Sequence, residues 1–291
     1  MALSVDPLWP RAGNWPAPSG DVDFGLIGIP TWRTSLSATK AHETPGAVRE
    51  ALRYYNEFFH AAAGDELTFA DWGDIADPDA DEPAAIAAVA ATTARLLVAL
   101  GGDNAATVPA ALGTWGDRIG SAGLVTVDAH YDLRDGVSNG SPVRRLLEAG
   151  LAGARVVQVG IADFANSAEY AARARDYGIT VIHRDELQRR PMADLMAEAL
   201  SIAASAGGPV HVDLDVDVCD RSVAPACPAS VPGGISAYEL RAAARTAARH
   251  PSVESIDLTE VDATADVADK RTLRLVALCV LEAAAGLRLR A

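Results

Sequence analysis

The sequence predicts an α/β fold: a single three-layer α/β/α domain with a mainly parallel sheet of about eight strands. Three observations carry that reading. Short apolar runs alternate with longer helix-like runs along the chain, the order that builds a parallel sheet covered by helices on both faces. The apolar runs are nearly continuous, as strands buried on both faces should be. No linker, composition shift or internal repeat divides the 291 residues, so one domain is the economical reading.

The elements follow in order. Residues 1–22 carry Pro7, Pro10, Pro16 and Pro18 and read as an irregular arm ahead of a domain over 23–291. DFGLIGI (23–29) reads as the first strand, followed by a helix over 46–61 and the strand LTFADW (67–72). A helix over 84–95 leads into RLLVALGG (95–102), and another over 105–115 into GLVTVDAH (123–130). A helix over 141–149, the strand RVVQVGI (155–161), a helix over 167–177 and the strand ITVI (179–182) come next. A helix over 192–206 precedes PVHVDLDVD (209–217), and a helix over 237–249 precedes VESIDLTEV (253–261). The last helix covers 271–287. Ala-rich periodic segments such as AYELRAAARTAARH support the helices.

Composition narrows the function. The formal net charge of -14 argues against nucleic acid and anionic membrane as partners. Cys219, Cys227 and Cys279 form neither a CxxC pair nor a zinc-type spacing, and their small, odd number suits a reducing compartment. The first residues contain no apolar signal core, and the apolar stretch 86–100 is interrupted by Arg95 and too short for a bilayer. The expectation is a cytoplasmic protein with no membrane partner.

Three segments repeat one design, an apolar strand ending in acid: LVALGGDN (97–104), LVTVDAHYD (124–132) and VHVDLDVD (210–217). Side chains alternate along a strand, so Asp128, His130 and Asp132 share a side if the strand runs that far, as do Asp213, Asp215 and Asp217. Carboxylates packed this way raise one another's pKa and oppose folding, and no Lys or Arg is interleaved in VDLDVDV to offset them. Metal ions are the simpler remedy. Carboxylate oxygens with one imidazole suit a hard or borderline divalent ion such as Mn²⁺. The donors exceed what one ion needs and fit a pair of ions roughly 3.5–4 Å apart.

These motifs resemble those of the ureohydrolase superfamily of arginases, agmatinases and formimidoylglutamases, and the resemblance runs from about residue 23 onward. It rests on GGDNAATVP (101–109), DAHYD (128–132), DVDVCDRSVAPACPASVPGG (215–234) and LTEVDATAD (258–266), in that order. It implies the arginase-like α/β fold, two Mn²⁺ per subunit and a homo-oligomer. Asn104, Asp128, His130, Asp132, Asp215 and Asp217 would hold the ions, Asp128 and Asp215 between them. Asn104 stands where arginases use histidine, and an amide oxygen is the weaker ligand.

Within the superfamily, APACP (224–228), SNGSPVRRLLE (138–148) and VGIADFANSAEY (159–170) look most like formimidoylglutamase. That branch hydrolyses N-formimino-L-glutamate to L-glutamate and formamide in histidine degradation. The resemblance gives Asp132 the proton relay and Glu260 the amidine-like end of a small-molecule substrate. Asn139, which would contact the substrate, replaces a histidine tied to guanidine chemistry. Ala162 stands where an arginine is expected, so Arg144, Arg145 and Arg271 become the candidates for the substrate's carboxylates. Asp213 replaces a small serine and reads as a supporting polar contact.

Other readings stay open: a related amidinohydrolase (agmatinase, guanidinobutyrase or arginase-like), a single-zinc deacetylase, and a non-catalytic metal-binding homologue. A deacetylase would need a tyrosine or paired histidines near these motifs, and none is evident beside them. His42, His60, His183, His211 and His250 lie outside any ligand pattern and read as ordinary surface or core histidines. The three cysteines read as structural.

Overall fold

A computed structural model gives the fold and describes residue 3 and residues 5–60 and 66–290. One eight-stranded sheet runs through the chain in the order β2-β1-β3-β8-β7-β4-β5-β6, and every neighbouring pair is parallel. The strands are β1 (Val22–Ile29), β2 (Phe69–Asp74), β3 (Ala94–Gly101), β4 (Gly123–Val127), β5 (Val156–Ile161), β6 (Thr180–His183), β7 (Val210–Asp215) and β8 (Val253–Thr259). The helices are α1 (Thr44–Leu52), α2 (Glu82–Ala90), α3 (Thr107–Trp115), α4 (Pro142–Glu148), α5 (Ala168–Tyr177), α6 (Arg184–Leu187), α7 (Met192–Ala203), α8 (Ala237–Arg249) and α9 (Arg271–Arg288). All eight expected strands are present, and among the described residues α6 is the one α-helix the sequence reading lacked.

The layers follow from strand alternation. Val212, Leu214, Ile256 and Leu258 join a large core that includes α1, α7, α8 and α9. The opposite face of the same strands carries His211, Asp213, Asp215, Ser255, Asp257 and Thr259, all buried, beneath the layer that contains α3. Apolar burial glues one face, and the other face is specialised.

Element ends differ from expectation for local reasons. The helix expected over 46–61 stops at Leu52, because Asn56 and Glu57 are drawn to the arm, bonding Pro10 O at 2.6 Å and Trp15 Nε1 at 2.6 Å; position 61 lies outside the described residues. The arm lies against the sheet edge, with the Trp15 ring stacked on Phe69 at 4.8 Å. The strands expected to reach residues 130 and 217 end at Val127 and Asp215. There the acids turn the chain off the sheet: Asp128 Oδ1 accepts from His130 N at 2.7 Å, and Asp215 Oδ1 from Asp217 N at 2.7 Å. Asp103 does the same for Ala105 N at 3.2 Å after β3. These are Asx-turns, which bend a chain by offering a side-chain acceptor in place of a backbone carbonyl.

Gly102 is a close approach. A Cβ there would lie 1.9 Å from Thr31 O, so only glycine lets the β3 end pass the segment after β1.

Candidate active site

Four strands adjacent in the sheet, β3-β8-β7-β4, end side by side. The residues following them are Asn104, Glu260, Asp217 and His130, so motifs far apart in sequence meet at one carboxyl edge, where α/β sheets bind ligands. All but Asn104 border a cavity of about 420 Å³ whose floor includes His130, Asp132, Asp215, Asp217 and Glu260.

The tightest group is Asp128, His130 and Asp217, whose ligand atoms lie within 4.8 Å of one another. His130 Nδ1 is 2.6 Å from Asp217 Oδ2 and 3.5 Å from Asp128 Oδ1. Burial opposes charge on His130, but Asp217 and Asp128 outweigh it and push its pKa up to about 12. Burial likewise works against the Asp217 carboxylate, and His130 beside it holds its pKa below the usual value. Asp128 goes the other way: burial, then repulsion from Asp217, lifts it to about 6. Burial and neighbouring carboxylates also raise Asp132 and Asp215 well above the ordinary range.

This donor set fits a divalent cation. Among the described residues Asp128 Oδ2 is buried with no hydrogen-bond partner, and the counter-charge in direct contact with Asp128 and Asp217 is the His130 imidazole, with the Arg184 guanidinium acting on both from farther off. A cation would take the place of the imidazole proton, since a ligating imidazole is neutral. Mixed carboxylate and imidazole donors suit Mn²⁺ and similar ions.

Asp132 and Glu260 sit where the chain leaves the sheet with φ of 53° and 63°. Non-glycine residues in this left-handed region cluster at functional sites. Asn104 braces both. Its Nδ2 donates to Asp132 Oδ2 at 2.5 Å, and its backbone N donates to Glu260 Oε1 at 2.9 Å. Its Oδ1, the atom expected to face an ion, instead accepts from Thr107 Oγ1 at 2.7 Å and Thr259 Oγ1 at 3.0 Å. The amide therefore presents its NH₂ to the site. Asn139 Nδ2 donates to Glu260 Oε1 at 2.6 Å, while its Oδ1 accepts from Leu36 N. Burial, with Asp103 nearby, pushes Glu260 up to about 8 despite these bonds.

Asp213, for which the sequence suggested a supporting polar contact, is buried within the sheet. It faces Asp257 across β7 and β8, and Thr259 Oγ1 donates to it at 3.4 Å. Below lies His211, whose Nδ1 is 2.7 Å from Ser255 Oγ and whose Nε2 is 3.2 Å from Asp257 Oδ2. His211 read as an ordinary core or surface histidine; it is a core histidine that neighbours a buried carboxylate. Its strand parity with Asp213 was the available signal.

The three arginines expected at the substrate carboxylates are engaged elsewhere. Arg144 pairs with Glu148 and binds the carbonyls of Arg134 and Gly136. Arg145 pairs with Glu82 at 2.5 Å, and Arg271 with Asp269 at 2.8 Å. None of the three borders the cavity over the acids. The arginine that does is Arg134, two residues beyond Asp132, joined on the wall by Phe164, Asn166 and Tyr170. Arg134 was passed over because an arginine in a loop is ordinarily a solvated charge.

The profile of the Arginase family matches residues 22–286. The chain is 33% identical to formimidoylglutamase of Bacillus subtilis over 284 residues, 91% of this chain and 87% of that one. It is 32% identical to formimidoylglutamase of Halalkalibacterium halodurans over 258 residues, 84% of this chain and 81% of that one. The crystal structure of the B. subtilis formimidoylglutamase superposes with a TM-score of 0.90 at 28% identity, covering 99% of this chain and 95% of that one. With the profile spanning nearly the whole sheet and the acidic strand ends at its carboxyl edge, this chain belongs to the arginase family.

Proposed function

We propose that the chain hydrolyses N-formimino-L-glutamate to L-glutamate and formamide with two Mn²⁺ per subunit. As an arginase-family member it is a hydrolase of C–N bonds in linear amidines. The observation that carries the finer reading is Asn139 bonded to Glu260 at the cavity floor, an amide where guanidine-cleaving relatives are expected to carry histidine. The formimidoylglutamases aligned along most of the chain support it.

Asp128, His130, Asp132, Asp215 and Asp217 would hold the ions. When bound, the ions supply a nucleophile from water at neutral pH and offset the buried carboxylates. Asp132, fixed by Asn104, accepts the proton of the attacking water and passes it to the departing glutamate nitrogen. Glu260, oriented by Asn139, pairs with the protonated imino nitrogen and holds the substrate plane. Water adds across the C=N carbon, the bond to the glutamate nitrogen breaks, and the imino nitrogen leaves in formamide. Asn104, expected as a further ligand, braces Asp132 through Nδ2 and would offer an ion its oxygen with the amide turned over.

Among the described residues no helix is long and apolar enough to cross a membrane. A cytoplasmic homo-oligomer acting in histidine breakdown completes the proposal.

The test is an assay of Mn²⁺-loaded protein on N-formimino-L-glutamate, agmatine, arginine and 4-guanidinobutyrate, with a chelated control. Metal-dependent glutamate release is expected. Urea from a guanidino substrate in its place would refute the substrate assignment.

A further inference from the structure

The acids of the cavity floor have a second cation behind them. Arg184 opens α6, the short helix that follows β6 directly. β6 lies two strands away from β4, roughly 10 Å at the backbone. The half-buried Arg184 side chain crosses the end of β5 and reaches the chain beyond β7. Its Nε donates to Gly160 O and its Nη2 to Val218 O, both at 3.3 Å.

Both carbonyls belong to segments that hold the acids. Val218 follows Asp217 in the chain. Gly160 lies where the register between β5 and β6 breaks, between Val159 and Ile161. Such an irregularity frees a carbonyl from the ladder and re-aims it. Gly160 has a φ of 104°, and a Cβ there would stand 2.7 Å from Val218 Cγ2 and 3.2 Å from Asp128 O. The chain ends of β4, β5 and β7 therefore meet at one point, and Arg184 is fastened to it.

The guanidinium is bonded to carbonyls and to no carboxylate of its own, so its charge is left to act on the cluster. Burial lowers its pKa, and Asp217 and then Asp128 work against that. An arginine stays charged in a protein, whereas a ligating histidine has to be neutral. The two cations beside Asp128 and Asp217 thus differ when a metal arrives: the His130 proton departs, and the Arg184 charge remains.

We propose that Arg184 is a permanent counter-charge that sets the metal affinity of this site. It stabilises the acid cluster while no cation is bound. Because it cannot leave, it weakens the hold of the same cluster on a divalent cation. Arg184 acts through Asp128 and Asp217 without touching the substrate, and it makes occupancy of the site follow the supply of Mn²⁺. The inference rests on reading Asp128, His130 and Asp217 as cation ligands.

The test compares metal-stripped wild type, Arg184→Gln and Arg184→Lys at pH 8, by thermal melting in chelator and by calorimetric titration with Mn²⁺. Arg184→Gln should melt below wild type in chelator yet bind Mn²⁺ on the order of 10-fold more tightly, since one repelling charge is gone. Arg184→Lys, which keeps the charge, should bind Mn²⁺ within about 3-fold of wild type. Arg184→Met, of similar length and uncharged, should behave as Arg184→Gln does and replaces it where the glutamine variant does not fold. A merely structural role would move stability and affinity in the same direction. Mn²⁺ binding that weakens or stays unchanged in the uncharged variants, with wild type binding normally, would overturn the counter-charge alone. A wild type that binds no Mn²⁺ would overturn the ligand reading, and the inference with it.

Discussion

Replacing Asp128 with Asn should make the metal-free protein more stable at neutral pH while destroying its response to metal. Asp128 is fully buried, and burial with the Asp217 charge lifts its pKa from 3.8 to about 6. A carboxyl whose folded pKa exceeds its unfolded value binds protons more tightly when folded. Its contribution is therefore unfavourable above pH 6, shrinks between 6 and 3.8, and vanishes below. At about 1.4 kcal/mol per pH unit, the penalty at pH 7 is about 3 kcal/mol. The Asn NH₂ would take the position of Oδ2, which has no partner, and leaving it unpaired costs about 1 kcal/mol. The net gain is about 2 kcal/mol. For 291 residues the unfolding entropy is about 0.6 kcal/mol/K, so the melting temperature should rise by about 3 °C. The assay is thermal melting by circular dichroism in chelator at pH 7 and pH 4, repeated with Mn²⁺. Wild type should gain about 4 °C when Mn²⁺ exceeds its Kd a hundredfold, and the variant nothing. A variant less stable than wild type in chelator at pH 7, or one equally stabilised by Mn²⁺, would refute the reasoning.

Three further outcomes are expected. Mn²⁺ binding at pH 7 should release protons, because His130 holds one that a ligating imidazole must lose, so affinity should rise from pH 6 to pH 8; calorimetry in two buffers of different ionisation enthalpy reads this, and zero release would remove His130 from the ligand set. Glu260→Gln keeps an acceptor for Asn104 N and Asn139 Nδ2 but cannot ionise to meet the protonated imino group, so kcat should fall on the order of 100-fold at unchanged Mn²⁺ content; full activity would take Glu260 out of the chemistry. His211→Leu leaves Asp257 and Ser255 without their buried neighbour and should cost about 1–3 kcal/mol in urea unfolding, largely recovered by adding Asp257→Leu; a single variant as stable as wild type would show the pair to be idle.

The sequence by itself determined the fold class and pointed to a candidate metal site. Eight mostly apolar runs became eight strands because burial on both faces keeps polar positions few inside them, a signal that survives without any tertiary information. The acid clusters stood out because no neighbouring base offset them. Element ends were less legible: the expected extension of strands through His130 and Asp217 ignored the Asx-turns by which Asp128 and Asp215 end the ladder. The parity argument placed Asp213 and Asp215 on one face, whereas His130 and Asp132 reach the site through a loop.

Only the tertiary structure decided which charges remain free. Arg144, Arg145 and Arg271 had the right chemistry for a substrate carboxylate, but their partners Glu148, Glu82 and Asp269 lie 4, 63 and 2 positions away, and for Arg145 no sequence window shows the pairing. Strand order likewise placed β8 between β3 and β7, so that Glu260 meets Asn104 across 156 positions. Local sequence sets what each segment can be, through propensity, hydrophobic period and turn chemistry. Which side chains then neutralise one another depends on contacts between distant segments, and those are fixed only when the whole sheet closes on its cores.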